Sequence, residues 1–443
     1  MLFSKKDLLK ITLPLLIEQV LAVTVGLLDS MMVSTAGEAA VSGVSLVDSI
    51  NLLLVYGFSA LATGGAVVCS QFLGSKDTKS ARDAAAQILY STFFVAVVIT
   101  ATTLLCRRMF LKLVFGSVSD DVMANALSYF FFTALSYPFL ALYNGGGAVF
   151  RAMGNSKISM NVSVIMNVLN FAGNALLIFV FKLGAAGAAI STLFARFVGA
   201  VIMVAMLHDK HNIIYVEKLY KIRLHFGIIR KVLHIGVPNG AENAMFQVGK
   251  LLTQSMVASF GTASIAANAV AGTLSSFEYA IGQAVGLSMI TIVGRCVGAE
   301  DFAQAKYYVK KLLKAEYLMM FIMAFTLSVL AKPIISVYNL SEDADRLALI
   351  LILIHNVFIC TIWPMSFTLP NSFRAANDVT YPMTTSILSM WVFRVVLGYV
   401  FGCVFNLGVL GIWLAMFSDW IFRGTLYIIR LINGKWLTKY KKV

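Results

Sequence analysis

Apolar runs close to the length of a bilayer crossing recur along the whole chain, at about 11–33, 44–70, 85–105, 129–150, 158–181, 184–207, 235–257, 267–294, 313–331, 347–370, 381–402 and 408–429. A helix needs about 20 such residues to traverse the hydrocarbon core. With no water there to satisfy backbone N–H and C=O groups, a spanning segment must be a helix or part of a closed barrel, and continuous rather than alternating apolar runs select the helix. Only 13% of the residues are charged and the mean hydropathy is +0.84, against roughly 25% charged residues in soluble domains. The chain therefore reads as an all-α integral membrane protein with twelve transmembrane helices. The first run is too long and too acidic for a cleaved signal peptide, so it is counted as a span.

A net charge of +14 invites a nucleic-acid reading, but the basic residues sort by loop instead. With both termini inside, 25 of the 35 Lys and Arg fall in cytoplasmic segments, 6 outside and 4 within spans, the bias that sets membrane orientation. The outer loop holding Arg107, Arg108 and Lys112 is the exception. The expectation is a multi-pass protein of the cytoplasmic membrane with cytoplasmic termini and no nucleic-acid partner. Five scattered cysteines and a single intramembrane histidine, His355, give neither disulfide nor metal-ligand spacing. No metal or cofactor is expected on that ground.

Sliding the chain along itself by 224 positions aligns Pro14 with Pro238, Glu18 with Glu242, Gly37 with Gly261, and QFLGSKDTKSAR (71–82) with RCVGAEDFAQAK (295–306), with no gap needed from Pro14 to Arg82. FRAMGN (150–155) pairs with FRAAND (373–378) one register off, and LGAAG (183–187) returns to register with LGVLG (407–411). The chain is two copies of six helices. An even number per copy gives both copies the same orientation, so the two lobes are expected to be related by a pseudo-two-fold along the membrane normal. The predicted organisation is an N-terminal lobe over 1–207, a basic amphipathic cytoplasmic linker over 208–233 lying on the membrane surface, and a C-terminal lobe over 234–443.

The Pro14–Gly37 stretch and its continuation LLDSMMVSTAGEAAVSGVS, the QFLGSKDTKSAR loop, FRAMGN and their second-half counterparts resemble the multidrug and toxic compound extrusion (MATE) family over essentially the whole chain. The resemblance implies a secondary antiporter that exchanges sodium or protons for organic, often cationic, compounds around a central chamber. It implies small organic substrates, a monomer in the bilayer and no enzymatic activity. Family members carry an aspartate at the position matching Asp29. In archaeal and several bacterial relatives an asparagine in the fifth helix is followed four residues later by an aspartate. Here Asn170 matches the asparagine and Asn174 replaces the acid, and the tenth helix, ILILIHNVFICTIWPMSFTLP, lacks the acid of the sodium-coupled branch.

An ionisable side chain in mid-membrane costs about 2.5–3.5 kcal/mol on insertion scales, so it faces a cavity or a partner. Eleven residues at about 100° each place Glu18 and Asp29 on one face of the first helix. Asp29 is either an ion-coupling carboxylate or a structural acid; Glu18 is a second candidate or an interfacial residue. Glu242 repeats Glu18. Lys250, about 80° further round the same helix, is expected to pair with Glu242 or with Glu278, which is itself a candidate for a polar chamber wall beside Asp48. Ser163, Asn167, Asn170 and Asn174 form one polar stripe, either helix-to-helix glue or a set of groups that hold Asp29 or an ion. A sodium site near Asp29, Asn170 and Asn174 is one alternative. A single desolvated carboxylate suits a proton better than it suits sodium, which wants several hard oxygens and more negative charge. Arg394, the repeat partner of Asn170, is expected either to hold an acid of the other lobe or to snorkel toward an interface. Pro138 and Pro364 should bend their helices, for gating or packing. Two rivals remain: a lipid-linked sugar flippase of the same superfamily, which would be expected to have extra helices or a strongly cationic chamber, and an intramembrane enzyme, for which no nucleophile, base or metal constellation is present.

Overall fold

The computed structural model describes residues 2–116, 119–217 and 223–440. Twelve helical passages follow one another: α1 (Lys5–Ser34), α2 (Glu38–Gly74), α3 (Thr78–Phe115), α4 (the pair Asp120–Leu135 and Tyr137–Ala152), α5 (Ser156–Val180), α6 (Gly184–Leu207), α7 (Phe226–Ala258), α8 (Thr262–Gly298), α9 (Phe302–Ser336), α10 (Glu342–Thr361, continued by Pro364–Thr368 and Pro370–Ala375), α11 (Thr380–Val404) and α12 (Gly408–Ile432). These are the twelve expected spans. By length and composition ten described helices are able to cross a membrane, eleven when the bent α4 pair is one span. The twelfth, α7, interrupts its apolar sequence with Asn239, Glu242, Asn243, Gln247 and Lys250.

The internal repeat extends to backbone torsions. Gly37 and its repeat partner Gly261 precede α2 and α8 with φ of 102° and 90°, a region only glycine enters freely. Asp77 and Asp301 cap α3 and α9, each carboxylate accepting from the backbone N–H three residues on at 3.0 Å (Ser80 and Gln304), the helix-start chemistry those residues favour. Lys182 and Asn406 share a left-handed φ of 54° and 55°. Sequence similarity too weak to see at most positions thus survives as geometry.

By contacts the chain divides into two units: Lys5 to Gly240, and Ala241 onward together with residues up to Ser4. The boundary falls inside α7, just after Pro238. In the first unit the opening turns of α7 pack so closely on α2 that a Cβ on Gly64 would meet the Val232 carbonyl oxygen at 2.5 Å. In the second, Phe3 exchanges backbone hydrogen bonds with the Tyr308 hydroxyl at 2.9 and 2.8 Å, and Arg295 lies over its ring.

The described ends of the 208–233 linker are tied to the first unit. Ile214 and Val216 are buried, Arg82 of α3 bonds the Tyr215 hydroxyl and stacks on its ring, and Gln87 donates to the Arg223 carbonyl. The linker centre, 218–222, and the tail 441–443 lie outside the described residues. The glycine runs serve close packing: a Cβ would meet Met203 at 2.3 Å from Gly146 and Trp363 at 1.9 Å from Gly282. All five cysteines are free thiols.

Candidate ion and substrate sites

In the first unit the acidic face of α1 meets α5, as the 11-residue spacing implies. Asp29 is half-buried, and Asn174 donates to its Oδ1 at 2.8 Å. Asn170 sits one turn earlier on α5. With its amide oxygen accepting from Thr192 Oγ1 at 3.1 Å, its nitrogen reaches both Asp29 oxygens at 3.0 Å. Ser191 donates to the Asn170 carbonyl, so α6 fixes the stripe from behind. α5 passes into a π-helical segment at Ala175–Val180, directly after Asn174; such wide turns re-aim side chains and recur at functional sites. The stripe divides in its contacts. Asn170 and Asn174 reach Asp29, whereas the Asn167 amide nitrogen is buried without a hydrogen-bond partner.

Behind Asp29 lies a second polar layer. Asp48 accepts from Asn51 at 3.1 Å and from the Tyr129 hydroxyl at 3.0 Å, and Tyr137 donates to Asn51 at 2.6 Å. Arg196 donates to Ser136 at 2.7 Å and is near enough to act electrostatically on Asp29 and Asp48. Arg196 was visible in the sequence only as a charge inside a span.

Glu18 is buried and accepts from Ser159 at 3.1 Å and from the Tyr143 hydroxyl at 3.3 Å, with Arg151 reaching Ser159. Its repeat partner Glu242 pairs directly with Arg374 at 2.6 Å and accepts from Ser386 at 2.7 Å. Glu242 thus holds the FRA motif of its unit directly, and Glu18 shares Ser159 with Arg151 of the first.

Three sequence expectations are corrected in the second unit. Lys250 pairs with neither Glu242 nor Glu278; it is exposed, and each acid is already taken. Glu278 does not line an open wall: it is sealed with His355 at 2.9 Å, both side chains 1% exposed, and the other ring nitrogen of His355 meets the Tyr279 hydroxyl at 2.9 Å. A carboxylate that deep needs a partner, and His355 of α10 supplies it. Arg394, expected to snorkel or to hold an acid of the other lobe, instead lies 3.7 Å from Asp419 of α12 in its own unit. Asp419 is fully buried and receives Arg423 through Nε at 2.9 Å and Nη2 at 2.7 Å, plus the Ser389 hydroxyl. This centre was missed because Asp419 and Arg423 stand one turn apart on an otherwise apolar helix, a spacing that in itself signals an i,i+4 pair.

Pro138 sits in the first turn after a 44° bend within α4, and Pro364 opens the π-helical turn Pro364–Thr368 that interrupts α10. No group of three or more His, Cys, Asp or Glu able to hold a metal ion occurs among the described residues.

The MatE family profile matches residues 14–176 and 238–400, two segments with the same offset as the internal repeat. The chain is 28% identical over 441 residues to the uncharacterized transporter YisQ of Bacillus subtilis, covering 98% of this chain and 95% of that protein. It is 23% identical over 450 residues to the probable multidrug resistance protein NorM of Thermotoga maritima, covering 98% and 93%. Among solved structures, an outward-facing multidrug resistance MATE transporter of the MOP superfamily superposes with a TM-score of 0.90 at 17% identity over 97% of this chain and 96% of that one. A MOP superfamily transporter from Pyrococcus furiosus, described by a reverse polarity of its binding pocket, superposes with 0.89 at 18% identity over 97% and 96%. Together with the twelve helices and their duplication, these matches establish that the chain belongs to the MatE family, the multidrug and toxic compound extrusion transporters.

Proposed function

We propose that the protein exports lipophilic organic cations in exchange for protons, with Asp29 as the carboxylate at which cargo and coupling ion compete. The observation that carries this reading is the setting of Asp29: half-buried on a spanning helix, in no ion pair among the described residues, and held by two asparagine amides. An acid kept in a membrane without a paired cation is left available to an exchangeable one. The Asn170 amide suits such an exchange. Its nitrogen donates to the ionised carboxylate; turned over, its oxygen accepts from the protonated one, at the same 3.0 Å. Sodium is the alternative coupling ion, with the buried, unpartnered Asn174 oxygen as a further ligand. The lone carboxylate favours the proton.

In the cycle, protonation of Asp29 from outside releases a bound cation, and deprotonation inside restores the anionic site, while the two repeats rock to expose it alternately. One proton entering for one monovalent cation leaving moves no net charge, so the pH gradient alone drives that exchange. A second coupling ion would add about 2.3 kcal/mol per 100 mV. The site of action is the cytoplasmic membrane, with both termini inside and the monomer as the working unit.

Reconstitution in liposomes tests this. An imposed pH gradient should drive a fluorescent lipophilic cation across the membrane, a sodium gradient of equal size should not, and accumulation should be insensitive to a potassium-diffusion potential at one-to-one coupling. Movement driven by sodium alone would overturn proton coupling.

A further inference from the structure

Among the described residues of the second unit, Glu316 of α9 is a buried acid that neither a cation nor a histidine answers. It is 0% exposed. The Thr368 hydroxyl donates to its Oε1 at 2.6 Å, with the Gly282 carbonyl 3.5 Å from the same hydroxyl, and Oε2 is buried without a hydrogen-bond partner. α9 packs on α8 and α10, and the titratable groups of both are engaged elsewhere. On α8, Glu278 and Tyr279 are held by His355, and Arg295 lies over the Phe3 ring. On α10, His355 is thereby taken, Arg374 is bound to Glu242, and the Cys360 thiol meets the Met320 carbonyl. On α9 itself, the neighbours one turn away are Leu312, Leu313, Met319 and Met320. Tyr317 turns its hydroxyl to the Thr361 carbonyl at 3.0 Å, and the exposed Lys314 stands about 200° round the helix. A carboxylate here would leave a charged oxygen buried with no donor, a cost that a bound proton removes.

The packing does not require this acid. In the repeat Glu316 corresponds to Thr92, and in the shifted register of the FRA motifs Thr368 corresponds to Gly145. The first unit makes the same contact with those two residues: a Cβ on Gly145 would meet Thr92 Oγ1 at 3.1 Å, and Thr92 donates to the Ile88 carbonyl of its own helix at 2.7 Å. Two helices thus close on each other at this point with no ionisable group, whereas the second unit places one there and leaves an oxygen unmet. Its partner Thr368 ends the π-helical turn Pro364–Thr368, where regular hydrogen bonding is interrupted and a helix bends most readily. Movement of that turn away from α8 and α9 would withdraw the Thr368 hydroxyl and open Glu316 to water, and its return would seal the acid again. The proton then enters or leaves in step with α10.

We infer that Glu316 is a proton-binding site of the second unit, occupied in this packing and emptied when the turn of α10 lifts, so that each cycle carries a second proton besides the one at Asp29. Asp29 alone gives the voltage-indifferent one-to-one exchange described above. The coupling of Glu316 to transport rests on that proton-exchange reading; its protonation does not.

Two measurements on the full chain separate these statements. Infrared spectroscopy of protein carrying isotope-labelled glutamate should show, in the difference between wild type and Glu316→Gln at neutral pH, the carbonyl band of a protonated carboxyl. A difference that contains only the bands of an ionised carboxylate overturns the inference. In proteoliposomes a fluorescent phenanthridinium dye is then followed to steady state. At two protons per monovalent cation, a pH gradient of one unit should sustain a dye gradient of about a hundredfold. A potential positive on the proton-supplying side should multiply it about tenfold for each step of about 60 mV, opposite in sign to passive redistribution of the dye. Glu316→Gln, a neutral amide in place of a neutral acid, should lower the pH-driven gradient to about tenfold and abolish the response to potential. A wild-type protein indifferent to potential overturns the second proton without recourse to any variant, and so does a Glu316→Gln protein that keeps the full response. No pH-driven movement of dye at all overturns the exchange reading and with it the coupling of Glu316, whereas the protonated band stands or falls by itself.

Discussion

The two units share a backbone and differ in the charges they carry at matched positions. At matched positions the first unit has Asp29 and Asn170, which face each other across α1 and α5; the second has Thr253 and Arg394. In the first unit the acid at this position, Asp29, is held by neutral amides. In the second unit Asp419 is engaged by Arg423 and Glu242 by Arg374, Arg394 stands 3.7 Å from Asp419, and the buried Glu316 accepts from the Thr368 hydroxyl. Duplication preserved caps and left-handed turns to within a few degrees, because each is required to turn the chain at that point. It did not preserve the charged side chains, because a helix pair closes equally well around either sign provided the charge finds a partner. The lesson is that similarity of fold between the halves carries no inference that they bind the same thing.

The largest effect expected from this difference is in transport. Asp29→Asn should reduce proton-driven export of a lipophilic cation by more than about tenfold, or about 1.4 kcal/mol of coupling, in proteoliposomes matched for protein content. The matched change in the second unit, Thr253→Val, removes a hydroxyl bonded only to the Lys250 carbonyl and should leave the rate within about twofold. Similar losses at both positions would mean that the asymmetry has no functional content.

A smaller effect concerns the paired glutamates, read as thermal stability in detergent. Glu242→Gln strands Arg374, which is buried, beside a neutral amide, and breaking such a pair costs about 3–5 kcal/mol. Glu18→Gln keeps an acceptor for the Ser159 and Tyr143 hydroxyls and should cost about 1 kcal/mol. Equal costs would show that the guanidinium contact of the second unit is no more than a solvated pair.

Much of this was legible in the sequence. The twelve helices follow from run length because lipid leaves the backbone no alternative, and the duplication follows from identities that recur at one fixed spacing. The contact of Asp29 with Asn170 and Asn174 was foreshadowed by periodicity: an acid on one face of α1, and amides one turn apart on α5. What could not be read was pairing between helices distant in the chain. Lys250 has Glu242 two turns away on its own helix, yet Arg374 takes that acid from 132 residues away. Glu278 was exposed to any reading as a free acid until α10 brought His355 against it. Periodicity fixes which way a side chain points on its own helix, and says nothing of which helix stands opposite.

The smallest expected effect lies at the caps, where the halves should behave alike. Asp77 lies in an exposed loop, and the Ser80 side chain and amide hold its carboxyl below the usual range. Its ionised form is thus the one favoured by folding. The cap's contribution is present at neutral pH and fades as the pH falls through the ordinary carboxylate range toward the lower folded-state value. Asp77→Ala should cost about 0.5–1 kcal/mol. Asp301→Ala should cost the same or slightly more, since Asp301 also accepts from the Gln304 side chain at 2.6 Å. Chemical denaturation of the two variants at neutral pH, and of Asp77→Ala again near pH 3, checks both statements: the Asp77 penalty should shrink in acid. A penalty for Asp77→Ala that is unchanged in acid would mean that the carboxylate charge plays no part in the cap and that the loop is held by its backbone torsions alone.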